Sequence, residues 1–153
     1  MALPFPVQIL VADDHSVVRT GLRTILDAEP DLQVVAEAAD GAEAVQLGLS
    51  HDVHLAVLDI AMPRLTGLQA ARELSQRRPD LRMIMLSMYD KEQYFFEAIA
   101  VGAAGYVLKR AADQEIVRAC RAATRGEPFY YPTAMTTRKP SDVEHAVHGA
   151  LTR

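Results

Sequence analysis

The regular alternation of short apolar runs with longer amphipathic segments constrains the fold of this chain most strongly. Five runs rich in Val, Ile, Leu, Met and Ala lie at residues 7–12, 32–38, 54–59, 82–87 and 105–109. Each is followed by a segment whose apolar residues recur at helical spacing. Continuous apolar runs of this length are typical of strands that are covered on both faces. Five β–α units in series therefore predict an α/β fold with a parallel sheet between two helical layers.

Bulk properties favour one globular domain and exclude several other classes. The chain has 153 residues, of which 50% are hydrophobic and 24% charged, so intrinsic disorder is excluded. A net charge of −4 does not indicate the excess of basic residues that is typical of nucleic-acid-binding domains. The first apolar run lacks a preceding basic segment, and no run approaches the roughly 20 residues of a membrane span. The single cysteine, Cys120, is predicted to be a core residue, and its lack of a partner fits a reducing cytoplasm.

Polar residues follow four of the apolar runs at the point where each run ends. Asp13 and Asp14 follow the first run, Asp59 ends the third, Ser87 ends the fourth and Lys109 ends the fifth. In parallel sheets, ligands bind outside the carboxyl ends of the strands. We therefore expect these side chains to lie close together at one edge of the fold.

Each of these residues also has a simpler interpretation when it is taken alone. Asp14, Asp59 and Ser87 are good caps for a helix or a turn, and Lys109 could be a solvated loop residue. Three clustered carboxylates, however, repel one another and need a nearby cation. Mg²⁺ prefers carboxylate oxygens, and no His/Cys set with zinc spacing competes. With such a cation, a carboxylate can act as a nucleophile towards phosphorus.

Four motifs carry a resemblance to a known family. ILVADDH, VLDIAMPRLTG, MLSMYD and GAAGYVLKR occur in this order between residues 9 and 110. Together they resemble the receiver domain of two-component response regulators, over about residues 7–126. The resemblance implies a flavodoxin-like, doubly wound five-stranded parallel sheet of strand order 2-1-3-4-5. The segment from Gly102 to Pro132 is further similar to the NarL/FixJ group, whose members carry a LuxR-type helix-turn-helix domain.

The resemblance implies a magnesium site and a phosphoacceptor. Asp59 would accept a phosphoryl group from the phosphohistidine of a sensor kinase. Asp14 and Asp59 would bind Mg²⁺ directly, Asp13 would bind it through water, and Ala61 would contribute its backbone carbonyl. The protein would then not be an enzyme in the usual sense, but a phosphoacceptor that assists its own phosphorylation and dephosphorylation.

The resemblance also implies a conformational switch. The Ser87 hydroxyl would move towards the phosphoryl group, Lys109 would bind one of its oxygens, and Tyr106 would be the aromatic residue that turns inward. The family usually has proline after this lysine, whereas this chain has Arg110. A cis bond before a non-proline residue costs about 2.5–4 kcal/mol, so this loop is expected to differ from the family pattern.

The expected domain organisation is a receiver at residues 1–127 and a linker with a short tail at 128–153. Residues 141–153 would form one short helix at most, which is too little for a DNA-binding domain. The expected partners are a sensor histidine kinase, a second copy of the chain upon phosphorylation, and DNA only through an output domain that is absent here. The expected location is the cytoplasm, without membrane contact. A stand-alone receiver that regulates a partner protein by contact is the alternative.

Three other function classes compete with this interpretation. A haloacid-dehalogenase-like phosphatase needs a second acid two residues after its nucleophile, where this chain has Ala61. A flavodoxin-like electron carrier needs a hydroxyl-rich phosphate loop after the first strand, where this chain has ADDHS. A phosphate-independent interaction module is compatible with the fold, although it would not need the acids, the hydroxyl and the lysine.

Overall fold

The computed structural model describes residues 3–89 and 91–130 and shows a parallel sheet between two layers of helices. The strands are β1 Val7–Ala12, β2 Leu32–Ala38, β3 Leu55–Asp59, β4 Arg82–Ser87, β5 Gly105–Leu108 and β6 Phe129–Tyr130. The helices are α1 Ser16–Asp27, α2 Gly41–Ser50, α3 Gly67–Arg77, α4 Glu92–Ala100 and α5 Ala112–Thr124. The sheet order is β2-β1-β3-β4-β5-β6, so the predicted order of the first five strands is confirmed.

Alternation along the central strands divides the core into two halves. Leu10 and Ala12 of β1 face a cluster formed with α2, α3 and α4, whereas Ile9 and Val11 face a cluster formed with α1 and α5. Side chains of a strand point alternately to the two faces of its sheet, which is why the central runs are apolar at successive positions. The second cluster contains Cys120, whose pKa is raised by burial, as expected of a core thiol.

Side-chain caps define the starts of α2 and α3. Asp40 accepts a hydrogen bond from the Glu43 amide at 2.8 Å and caps α2. Thr66 and Gln69 form a reciprocal capping box at the start of α3, with distances of 3.2 and 3.0 Å. These caps fix where the loops end and the helices begin. Within the described part of the chain, the helices are too short or too polar to cross a membrane.

The sixth strand is a difference from the sequence-based prediction. Phe129 and Tyr130, which fall in the predicted linker, pair in parallel with Gly105 and Tyr106 of β5. The Tyr130 ring packs edge-on against Phe95 of α4 at 5.0 Å between ring centroids. On the other side, the Arg118 guanidinium lies 5.7 Å from the centre of the Phe129 ring. The two aromatic side chains thus pack against the two helical layers, which explains why so short a segment joins the sheet. The predicted tail helix at 141–153 lies outside the described residues.

Candidate functional site

Four adjacent strands bring the predicted polar residues to one edge of the sheet. Asp13 directly follows β1, Asp59 is the last residue of β3, and Ser87 is the last residue of β4. Lys109 follows β5 and begins a short 3₁₀ turn that leads into α5. Because β1, β3, β4 and β5 are consecutive in the sheet, their carboxyl ends form one continuous site.

The Asp59 carboxylate is buried at the centre of this site, with 3% of the residue exposed. Its Oδ1 accepts a hydrogen bond from the Ala61 amide at 3.2 Å, and its Oδ2 accepts one from Lys109 Nζ at 3.0 Å. The pKa of Asp59 is raised to about 6, mainly by burial and in addition by the charge of Asp13, while the hydrogen bond and charge of Lys109 oppose the rise. The group is therefore mainly ionised at neutral pH, and an added cation would favour this charged form.

Lys109 lies between two carboxylates rather than in solvent. Its Nζ is 2.7 Å from Asp13 Oδ2 and 3.0 Å from Asp59 Oδ2, and only 12% of the side chain is exposed. Burial lowers the pKa of Lys109, but the interactions with the Asp13 and Asp59 carboxylates outweigh it and leave the pKa above its usual value. The interpretation of Lys109 as a solvated loop lysine is thus wrong. Within the described residues only Phe5–Pro6 is cis, so the bond from Lys109 to Arg110 is trans.

The two consecutive acids after β1 lie in different environments. The Asp13 side chain is fully buried, and its Oδ1 accepts a hydrogen bond from the His15 amide at 2.9 Å. The Asp14 side chain is about one-third exposed and lies 3.3 Å from His15 Nδ1. His15, not Asp14, occupies the cap position of α1, so the simple capping interpretation of Asp14 is wrong. Asp14 is available to a ligand, whereas Asp13 is held inside.

The donor set at this edge fits a hard divalent cation. Oxygens of Asp13, Asp14 and Asp59 and a ring nitrogen of His15 all lie within 4.8 Å of one another. Asp13 Oδ2 is buried without a well-oriented hydrogen bond from the described residues, although Lys109 is close to it. Carboxylate-rich sites of this kind suit Mg²⁺. His15 was not among the predicted ligands, and its place directly after the two acids was the available signal.

Ser87 and Tyr106 share one backbone group. Ser87 Oγ accepts a hydrogen bond from the Tyr89 amide at 2.9 Å and donates one to the Tyr89 carbonyl at 3.1 Å. The buried Tyr106 hydroxyl donates to the same carbonyl at 2.9 Å. Ser87 does not cap α4, which begins after Lys91. The loop after β4 therefore connects the two side chains through a single carbonyl oxygen.

A glycine that the sequence analysis did not single out supports the loop of Asp59. The Gly67 amide donates to the Ile60 carbonyl at 2.8 Å, which brings the start of α3 against the end of β3. A Cβ atom at position 67 would lie 1.8 Å from the Asp59 carbonyl oxygen. The motif LTG contained this signal, because glycine permits a backbone approach that no side chain allows.

Comparison with known proteins identifies the family. The profile of the response regulator receiver domain matches residues 9–121. This chain belongs to that family. The resemblance to two-component response regulators that the four motifs indicate is therefore confirmed.

Individual relatives of this receiver domain are named as regulatory proteins. The oxygen regulatory protein NreC of Staphylococcus carnosus is 39% identical over 132 residues, which cover 86% of this chain and 61% of NreC. The transcriptional regulatory protein DegU of Brevibacillus brevis is 36% identical over 126 residues, covering 82% of this chain and 53% of DegU. The chain thus spans little more than half the length of these relatives.

Solved structures agree with this assignment. The receiver domain of the response regulator NarL from Mycobacterium tuberculosis superposes with a TM-score of 0.77 at 34% identity, covering 81% of this chain and all of that one. A LuxR-family two-component response regulator from Aurantimonas sp. SI85-9A1 superposes with a TM-score of 0.76 at 29% identity, covering 95% of this chain and 98% of that one. The similarity to the NarL and LuxR group is confirmed.

Proposed function

We propose that this chain is the receiver part of a two-component response regulator and accepts a phosphoryl group on Asp59 in the presence of Mg²⁺. The observation that carries the proposal is the buried Asp59 carboxylate, bonded to Lys109 and adjacent to the acids of the β1 loop. Asp14, Asp59 and the backbone carbonyl of Ala61 would hold the metal directly, and Asp13 would act on it through water.

The transfer is a displacement at phosphorus. A carboxylate oxygen of Asp59 attacks the phosphorus, while the bond from phosphorus to the donor atom breaks and the donor leaves with that electron pair. The donor is the phosphohistidine of a sensor kinase, or acetyl phosphate in a test. When bound, Mg²⁺ would supply charge neutralisation for the transferred phosphoryl group. Lys109, already at 3.0 Å from Asp59, adds a second positive charge and a hydrogen-bond donor.

The same residues give a route from the phosphoryl group to the rest of the domain. To reach the phosphoryl group, the Ser87 hydroxyl gives up its two bonds with Tyr89. The loop that carries the Tyr89 carbonyl then shifts, which changes the hydrogen bond of the switch residue Tyr106. Phosphorylation thereby changes the relative populations of two loop arrangements.

The output lies beyond the receiver. The receiver, predicted to end at residue 127, includes β6 at Phe129–Tyr130, and we propose that the chain continues from there towards a LuxR-type DNA-binding domain. The name of DegU, a transcriptional regulatory protein longer than this chain, supports a transcriptional output. The full regulator works in the cytoplasm, receives its phosphoryl group from a histidine kinase and dimerises when phosphorylated. The receiver also assists its own dephosphorylation. Regulation of a partner protein by direct contact is the second candidate.

The proposed chemistry predicts a gain of one phosphoryl group per chain upon incubation with MgCl₂ and acetyl phosphate. Intact-mass spectrometry of the wild type and of Asp59→Ala, each with MgCl₂ or with EDTA, measures this gain. We expect the wild type to gain the phosphoryl group when MgCl₂ is present. The wild type with EDTA and the Asp59→Ala variant should stay unmodified. A wild type that stays unmodified and binds no Mg²⁺ would contradict the acidic-site mechanism and favour the interaction module.

Contacts between aromatic rings predict that a change at Tyr106 reaches β6. Tyr106 lies 5.8 Å from Phe95, and Phe95 lies 5.0 Å from Tyr130 in β6. We expect phosphorylation to change amide exchange of β6 in the wild type, and this change to be lost in Tyr130→Ala while the phosphoryl gain stays the same. Hydrogen-exchange mass spectrometry of the peptide ending in β6 measures the first effect, and intact mass measures the second.

The neighbouring residue provides the matched control for this prediction. Phe129 packs on the opposite side of β6, near Arg118. Phe129→Ala should therefore disturb the strand but keep the response to phosphorylation. If Tyr130→Ala responds to phosphorylation as the wild type does, the signal does not pass through these rings.

A further inference from the structure

A residue outside the acidic cluster holds the backbone on which the two consecutive acids lie. Arg19, on the first turn of α1 after the loop, donates a hydrogen bond from Nη1 to the backbone carbonyl of Asp13 at 2.6 Å. The side chain is 19% exposed, so this bond is shielded from solvent. A bond from a guanidinium to a carbonyl is charge-assisted and stronger than a neutral one.

Arg19 is itself anchored to the neighbouring strand. Its Nε lies 3.5 Å from a carboxylate oxygen of Glu37 in β2. The other Glu37 oxygen accepts a hydrogen bond from Arg23 Nη1 at 2.6 Å. The planar guanidinium can contact the Asp13 carbonyl and Glu37 at the same time, which a lysine ammonium on a flexible stem cannot match. The arrangement connects the loop after β1 to the end of β2.

The hydrogen bond from Arg19 to the Asp13 carbonyl matters more for the position of the Asp14 carboxylate than for that of the Asp13 carboxylate. The Asp13 carboxylate has further partners in the His15 amide and Lys109, and the Asp13 amide donates to the Ala38 carbonyl at 3.0 Å. Among the described residues, the Asp14 carboxylate contacts only His15. Its position therefore depends on its backbone. Because the peptide bond is planar, fixing the Asp13 carbonyl also fixes the plane of the Asp14 amide.

We infer that Arg19 is a positioning residue that sets the Mg²⁺ affinity of the site by holding the peptide between Asp13 and Asp14. The inference rests on the proposed phosphoacceptor function and adds to it a residue that touches neither the metal nor the phosphoryl group. Groups that orient metal ligands commonly change metal affinity by about 10-fold or more.

Because Arg19 is positively charged, loss of its charge and loss of its positioning role should change the Mg²⁺ affinity in opposite directions. Removing a positive charge near an acidic cluster should, by electrostatics alone, strengthen the binding of a cation. Loss of positioning should weaken it. Arg19→Met removes both the charge and the bond to Asp13, whereas Arg23→Met removes the same charge from the same helix and leaves that bond in place.

Titration calorimetry with MgCl₂ on folded variants of this 153-residue chain measures the dissociation constant. We expect Arg19→Met to bind Mg²⁺ about 10-fold more weakly than the wild type, and Arg23→Met to stay within about twofold. In phosphorylation by acetyl phosphate, the Mg²⁺ concentration for half-maximal rate should shift by the same factor in Arg19→Met. The rate at saturating Mg²⁺ should return towards that of the wild type.

Equal or tighter Mg²⁺ binding by Arg19→Met would overturn the inference and leave the phosphoacceptor proposal intact. Failure of the wild type to bind Mg²⁺ or to accept a phosphoryl group would instead overturn both. If Arg19→Met does not fold, Arg19→Lys keeps the charge and should show an intermediate loss of affinity. Wild-type affinity in a folded Arg19→Lys variant would then count against the positioning role.

Discussion

Lys109→Met is expected to reduce the rate of phosphorylation by acetyl phosphate roughly 100-fold. Lys109 Nζ lies 3.0 Å from the Asp59 carboxylate, where it can stabilise negative charge on the incoming phosphoryl group. The same variant should lose about 3 kcal/mol of unfolding free energy without Mg²⁺, because the buried Asp13 and Asp59 carboxylates lose the cation between them. Intact-mass kinetics and thermal unfolding measure the two effects.

MgCl₂ should raise the melting temperature of Lys109→Met more than that of the wild type. A cation that binds only the folded state stabilises it, and in the variant Lys109 no longer neutralises the same acids. The exposed Lys91, which precedes α4, provides the control, because Lys91→Met removes the same charge away from the site. Equal stability and equal rates in the Lys109→Met and Lys91→Met variants would show that the buried ion pairs contribute nothing.

Gly67→Ala is expected to destabilise the fold by about 3 kcal/mol and to abolish most phosphorylation. The new Cβ would lie 1.8 Å from the Asp59 carbonyl oxygen and 2.9 Å from the Ile60 Cα. These are backbone atoms, so no side-chain rotation removes the overlap. Either α3 moves away or the end of β3 shifts, and the second outcome displaces Asp59. Chemical denaturation and the phosphoryl-gain assay measure the two losses.

Gly21→Ala is the matched control for this prediction. Gly21 lies on the exposed side of α1, and a Cβ atom added there would meet no described atom of another segment within 4 Å. Alanine favours a helix over glycine by roughly 0.5–1 kcal/mol, so this variant should be slightly more stable than the wild type. A Gly67→Ala variant that gains stability in the same way would show that helix propensity outweighs the overlap.

Local sequence pattern determined most of the fold. The predicted strands differ from the first five observed ones by at most one residue at an end, because the runs are mainly apolar and four of them are buried on both faces. The edge strand β2 instead alternates between buried and more exposed positions. The fifth strand ends at Leu108 rather than Lys109, since the lysine turns inward and begins a 3₁₀ turn. The strand Phe129–Tyr130 could not be predicted in this way, because two residues carry no periodicity of their own.

The composition of the site was likewise predictable, since the carboxyl ends of neighbouring parallel strands meet at one edge. The sequence therefore determined that Asp13, Asp14, Asp59, Ser87 and Lys109 belong together. Only the tertiary structure decided which of these residues contact one another. Lys109 lies between Asp13 and Asp59, and Ser87 bonds to Tyr89. Arg19 and Gly67 both contact the backbone of another segment. Arg19 bonds to the Asp13 carbonyl, and Gly67 lies against the Asp59 carbonyl. The glycine of LTG marked the close approach at position 67, whereas the Arg19 contact depends on a distance between chain segments that no local pattern encodes.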